Sequence, residues 1–181
     1  GFHTYDYVRH FMSSVLRILG YESDSNEILV EDRHVRTEIF PIGIDYQKFV
    51  KATKKRAIKN KVAQTKRMDG STKVILSFDR ADYSKGIPQR LRAYQKFLDK
   101  NPDYHGRVTM RVIVAPSRSD VEAYQRLQKE IEVLVSQING NYSTLDWAPI
   151  SYIARDLEFE DVVASFCSSD IMLVTPLRDG M

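Results

Sequence analysis

Lys73-Val74-Ile75-Leu76-Ser77-Phe78-Asp79-Arg80-Ala81-Asp82-Tyr83-Ser84-Lys85-Gly86-Ile87-Pro88 opens on a compact apolar run, turns polar at Asp79 and closes on a glycine two residues before a proline. The run over 73–78 predicts a strand. Pro88 suits the start of a helix, and Gln89 to Leu98 predicts one. Arg107 to Ala115, stopped by Pro116, predicts a second, longer strand. Strand, helix, strand is the βαβ pattern, and the pattern continues downstream. Ser119 with Glu122 reads as a capping box, and Val121, Tyr124, Leu127, Ile131, Leu134 and Ile138 follow at spacings of three and four up to Gly140. Leu145 to Ile153 reads as extended, Glu158 to Cys167 as a short helix, and Ile171 to Thr175 as a buried strand. Such alternation implies an α/β fold with a parallel sheet covered by helices on both faces.

Upstream the texture changes. Residues 51 to 67 are basic and nearly free of acids, and Asp69, Gly70 and Ser71 break the run. It reads as a basic helix with a linker over 51–72, so a domain boundary is expected between Asp45 and Lys73. Residues 1–50 then close one domain, and 73–181 form part of another. In the first, Val8, Phe11, Met12, Val15 and Leu19 mark an amphipathic helix ended by Gly20, and Glu27 to Val30 and Val35 to Ile42 read as strands.

Composition sets the outer limits. The 181 residues are 43% hydrophobic and 28% charged, with 27 Lys plus Arg against 24 Asp plus Glu. These values exclude disorder, collagen and small disulfide scaffolds. A net charge of +3 is too balanced for a polyanion binder, and the basic run lacks interleaved aromatics, so no nucleic-acid partner is expected. Cys167 stands alone and reads as a core residue. No apolar run approaches the roughly 20 residues of a membrane span. No Cys or His cluster has metal-ligand spacing, so no metal is expected. The expectation is a soluble, cytoplasmic piece of a longer chain, with no signal peptide at Gly1 and no membrane partner.

In doubly wound sheets ligands bind at the carboxyl ends of strands, which directs attention to the loops after Phe78, Ala115 and Thr175. The first carries Arg80 and Lys85 beside a helix start, a setting that suits a diphosphate. The competing reading pairs these cations with Asp79 and Asp82. The second carries Arg118 after Pro116 and Ser117, an arginine fork for an anion or an ordinary surface residue. The third ends in Arg178, Asp179, Gly180 and Met181, where Asp179 is either a turn residue or an acceptor for sugar hydroxyls. His3, His10, His34 and His105 are scattered without a nucleophile, so a hydrolase triad has little support.

Taken together, five motifs are familiar. Gly1-Phe2-His3-Thr4, Pro41-Ile42-Gly43-Ile44, Asp79 through Gly86, Pro116-Ser117-Arg118 and Val174 through Met181 occur in this order and spacing in the trehalose-6-phosphate synthase family, which the sequence resembles along its entire length. The resemblance implies a GT-B type retaining glycosyltransferase that moves glucose from UDP-glucose to glucose 6-phosphate, giving trehalose 6-phosphate and UDP without metal or cofactor. It puts the donor diphosphate on Arg80 and Lys85, the acceptor phosphate on Arg118 and the donor glucose on Asp179. Gly180 and Met181 join the donor site, and Leu157 marks a backbone contact to uracil. Ala81 departs from the family's usual Leu, which alters packing and leaves the chemistry. The resemblance also implies that part of the machinery lies outside 1–181, so that this segment alone would not turn over. A homo-oligomer and a trehalose-phosphatase domain fused downstream stay open. So do two other readings: a non-catalytic sugar-phosphate-binding paralogue, and a related transferase with another nucleotide donor or a cyclitol acceptor.

Overall fold

A computed structural model describes residues 1–117 and 121–178 of the chain. It divides into two compact units, one ending at Asp45 and one beginning at Tyr46.

In the first unit, helix α1 (Tyr5–Leu19) ends where Gly20 takes a φ of 74° and donates its N–H to Leu16 O at 3.0 Å. Strands β1 (Ser23–Asp24), β2 (Glu27–Val30) and β3 (Arg33–Arg36) follow as an antiparallel meander. Ser25 and Asn26 form its first turn with φ of 48° and 69°, the positive values that a two-residue hairpin needs. The strand expected over Val35–Ile42 stops at Arg36. Beyond it the backbone divides its bonds: Thr37 donates to Asn26 O at 2.8 Å, Phe2 donates to Glu38 O at 2.9 Å, and only Ile39 bridges to Phe2 before Pro41 ends the pairing.

The second unit begins with α2 (Tyr46–Thr53) and α3 (Arg56–Asp69). There follow β4 (Lys73–Arg80), α4 (Ile87–Lys100), β5 (Val108–Ala115), α5 (Glu122–Tyr142), β6 (Ile150–Ile153), α6 (Phe159–Ser168) and β7 (Ile171–Met172). The four strands are parallel in the order β6-β5-β4-β7. Helices α4 and α5 bury Leu91, Leu98, Ile131 and Ile138 against Val112 and Trp147. On α6, Val163 and Ala164 meet Ala52 of α2 and Ile58 of α3. Val112, Ile113 and Val114 are consecutive and all at most 3% exposed, as expected of a strand covered on both faces.

Three further expectations change. The segment read as helix and linker is two helices that belong to the second unit, because its few apolar residues pack on α6 while Lys61 meets Asp161 at 2.5 Å and Lys55 meets Glu160 at 3.4 Å. The capping box read from Ser119 and Glu122 falls partly outside the described residues, and the helix begins later than that reading puts it. Glu122 is instead the first helical residue, Val121 holds the cap position, and the Glu122 carboxylate accepts from Arg126 at 2.5 Å. The strand expected as buried over 171–175 pairs in register with β4 at Ile171 and Met172, and Leu173 N–H extends the pairing to Leu76 O at 2.8 Å; in this segment Ile171 and Met172 are 56% and 47% exposed. It lies at the sheet edge with β4 as its one partner. Asp170 anchors it there, accepting from Lys73 Nζ at 2.8 Å and from Val74 N–H at 2.9 Å. Cys167 is half-buried against the α2–α3–α6 cluster. No helix among the described residues is long and apolar enough to cross a membrane.

Candidate functional site

The strand order creates the site. From β4 the chain steps outward to β5 and then β6, and α6 carries it back across both to β7 on the other side of β4. The connections on either side of β4 therefore diverge, and the crevice at such a switch point is where open α/β sheets bind ligands. Two loops flank it: 81–86, after β4, and 173–178, after β7.

The first loop is locally determined. Arg80 pairs in register with Ala115, and Ala81 N–H continues the ladder to Ala115 O at 2.8 Å. Asp82 Oδ1 accepts from Ser84 N–H at 2.9 Å and from Ser84 Oγ at 2.8 Å, which curls the chain into a single 3-10 turn over Tyr83–Lys85. These two bonds hold the Asp82 carboxyl below its ordinary range, and the charges of Arg80 and Lys85 add to the effect. Gly86 adopts a φ of 65°, and α4 starts immediately with Ile87 and Pro88. The first turn of α4, whose N–H groups have no partner within the helix, thus follows Lys85 directly in the chain.

The second loop docks on the first. Leu177 and Arg178 both donate backbone N–H groups to Ser84 O, at 2.8 and 3.1 Å. The approach is close enough that a Cβ on Gly86 would lie 3.0 Å from Leu177 Cγ and 3.3 Å from Thr175 O. Gly86→Ala would add this crowding to left-handed backbone strain worth about 1–3 kcal/mol. The expected result is a loss of stability of that order in a urea melt, together with weaker ligand binding at the crevice; an unchanged midpoint would contradict the packing.

Of the candidate residues, the structure puts Arg80 at the end of β4 and Lys85 in the loop that follows it. Arg80 is exposed and, among the described residues, has no carboxylate within 4 Å; Lys85 is half-buried. Of the two carboxylates in the competing reading, Asp79 is engaged by Arg90 at 2.5 Å, whereas Asp82, bonded to Ser84, lies near enough to Arg80 and Lys85 to feel their charges. Arg118, Asp179, Gly180 and Met181 lie outside the described residues. Leu157 follows β6, two strand spacings, or about 10 Å, from β4. There it lines a groove of about 540 Å³ together with Lys61, Arg111 and Arg155. His3 accepts from Ile42 N–H at 3.0 Å through Nδ1, a bond within its own unit. Among the described residues no three His, Cys, Asp or Glu side chains gather as a metal would require.

Arg90 is the residue that sequence reasoning missed. Its side chain is 1% exposed. Nη1 donates to Ser77 Oγ and Asp79 Oδ2, both at 2.5 Å, Nη2 to Lys85 O at 3.2 Å, and Nε to Thr175 Oγ1 at 3.0 Å. The signal was present: an arginine interrupts the buried stripe of Ile87, Leu91, Tyr94 and Leu98, and a charge in that place demands partners.

Comparison with known proteins places these features in context. The model of Glycosyltransferase family 20 matches residues 1–181. The chain is 42% identical over 181 residues to the UDP-forming alpha,alpha-trehalose-phosphate synthase A of Dictyostelium discoideum, spanning all of itself and 25% of that protein. A trehalose-6-phosphate structure from E. coli bound with UDP-2-fluoro glucose superposes with a TM-score of 0.91 at 35% identity. The alpha,alpha-trehalose-phosphate synthase (UDP-forming) of Burkholderia xenovorans, in complex with glucose-6-phosphate, superposes with a TM-score of 0.92 at 33% identity. The match covers the whole of this chain and 40% of each of those two chains.

Proposed function

The chain belongs to glycosyltransferase family 20, with the parallel α/β architecture of its GT-B type structures, and from that premise we propose that it is the donor-side portion of a retaining glucosyltransferase. In this reading the complete enzyme moves glucose from UDP-glucose to glucose 6-phosphate and releases trehalose 6-phosphate and UDP. The observation that carries it is the switch-point crevice, where Arg80 ends β4, Lys85 closes the 3-10 turn after it and α4 starts directly beyond.

The chemistry follows from what such a loop can do. As the bond from the anomeric carbon to the diphosphate oxygen breaks, negative charge grows on the leaving group, and preorganised cations stabilise it most at that moment. The acceptor hydroxyl attacks from the same face, and its proton passes to the departing phosphate oxygen. The chain then contributes charge and position rather than a nucleophile. Arg80 and Lys85 take the neutralising role that a metal fills in other transferases, so the reading assigns no metal or cofactor. Asp179 would receive donor-glucose hydroxyls, Arg118 the acceptor phosphate, and Leu157 with Gly180 and Met181 the remainder of the donor. The substrates are intermediary metabolites, and on that ground we assign the enzyme to the cytoplasm.

The test is product formation by the full-length protein. Incubated with UDP-glucose and glucose 6-phosphate, it should release UDP and trehalose 6-phosphate in equal amounts. Binding of both substrates without UDP release would instead support a regulatory sugar-phosphate-binding paralogue. Release only with another nucleotide sugar or a cyclitol acceptor would reassign the substrates.

A further inference from the structure

We propose that Arg90 is a positioning residue that sets the spacing between the two loops of the crevice, and that its bond to Thr175 is the element through which it does so; the proposal rests on the transferase reading above. A buried arginine needs its charge compensated, and Asp79 with Ser77, both on β4, already does this. The two remaining bonds lead away from β4. One reaches the Lys85 carbonyl, in the loop with the candidate diphosphate cations, and the other reaches the Thr175 hydroxyl, in the loop leading to Asp179 four residues later.

The guanidinium is planar, and its donors point in fixed directions. Oxygens bonded to Nη2 and Nε are therefore held at a set separation, which a flexible lysine would not impose. Fixing the Lys85 carbonyl orients the peptide entering Gly86 and hence the Lys85 side chain. Fixing Thr175 anchors the start of the opposite loop, whose far end already rests on Ser84 O. Because the Asp79 carboxylate compensates the Arg90 charge, Arg90 does not compete with Arg80 and Lys85 for an anion. Its role is geometric, and displacements of about 1 Å in such geometry cost on the order of a hundredfold in rate.

Removing Arg90 itself would leave Asp79 without its ion pair and risk misfolding, so the test acts on its partner. In the full-length enzyme, Thr175→Val removes the acceptor and retains the branched shape, whereas Thr175→Ser keeps the hydroxyl. Steady-state kinetics are measured with each substrate varied, alongside a thermal melt. Thr175→Val should lower kcat/KM for UDP-glucose at least about tenfold, leave KM for glucose 6-phosphate within about twofold and shift the melt little, and Thr175→Ser should restore donor kinetics. Wild-type kinetics in Thr175→Val, or an equal decline for both substrates that tracks the melting temperature, overturns the positioning role. A wild-type enzyme that releases no UDP from UDP-glucose overturns the transferase reading and this proposal with it.

Discussion

Replacing Arg80 and Lys85 together by alanine in the full-length enzyme should lower turnover with UDP-glucose by about a hundredfold or more. Each residue would supply a charge-assisted hydrogen bond to the leaving diphosphate, worth about 1.5–3 kcal/mol, and 1.36 kcal/mol corresponds to tenfold in rate. Each single variant should therefore lose at least about tenfold. The loop itself should survive both changes, because its shape is held by the Asp82–Ser84 turn, Gly86 and Arg90. Calorimetric titration with UDP separates the consequences: binding should weaken in the double variant while the thermal melt stays near wild type. A double variant with wild-type turnover would remove the diphosphate from this loop.

The largest effect on stability is expected in the core. Ile131 lies midway along α5 with 0% exposure, inside the cluster formed by α4, α5 and β5. Ile131→Ala removes three buried carbons and leaves a cavity that a closely packed helix cannot collapse, a change that costs about 2–5 kcal/mol. For a unit of this size the melting temperature should fall by roughly 5–15 °C. Since Ile131 is on the helix body rather than in either loop, KM for UDP-glucose measured well below the transition should stay within about twofold. A loss under about 1 kcal/mol would mean that α5 is not packed as described.

How much of this was legible depended on whether the deciding interaction was local. Ile131, Leu134 and Ile138 repeat at helical spacing, and that periodicity marked α5 and its buried face without further information. Phe78 to Gly86 carried the site for the same reason, since Asp82 bonds only two residues away. The errors fell where distant chain segments compete. Ile171 through Val174 is apolar enough to read as a buried strand, and its pairing partner β4 lies 96 residues back in the chain, beyond the reach of a local reading. Lys61 reads as one charge in a basic run, and only the fold shows that Asp161, 100 positions away, answers it. Arg90 is the instructive case: the stripe around it was readable, but its four partners come from β4, the following loop and the chain beyond β7.

Asp170 has a kinetic consequence. Its bonds to Lys73 and Val74 join positions 97 and 96 residues apart, so β7 meets β4 only across a long stretch of chain. Closing so long a loop costs chain entropy before any ladder bond repays it. A folding chain should therefore form the β4–α4–β5 segment early and add β7 late, with the crevice closing as one of the last events. Until β7 docks on β4, Arg90 has Asp79 and Ser77 but no Thr175 at hand, so the crevice acquires its shape only once that long-range pairing is made.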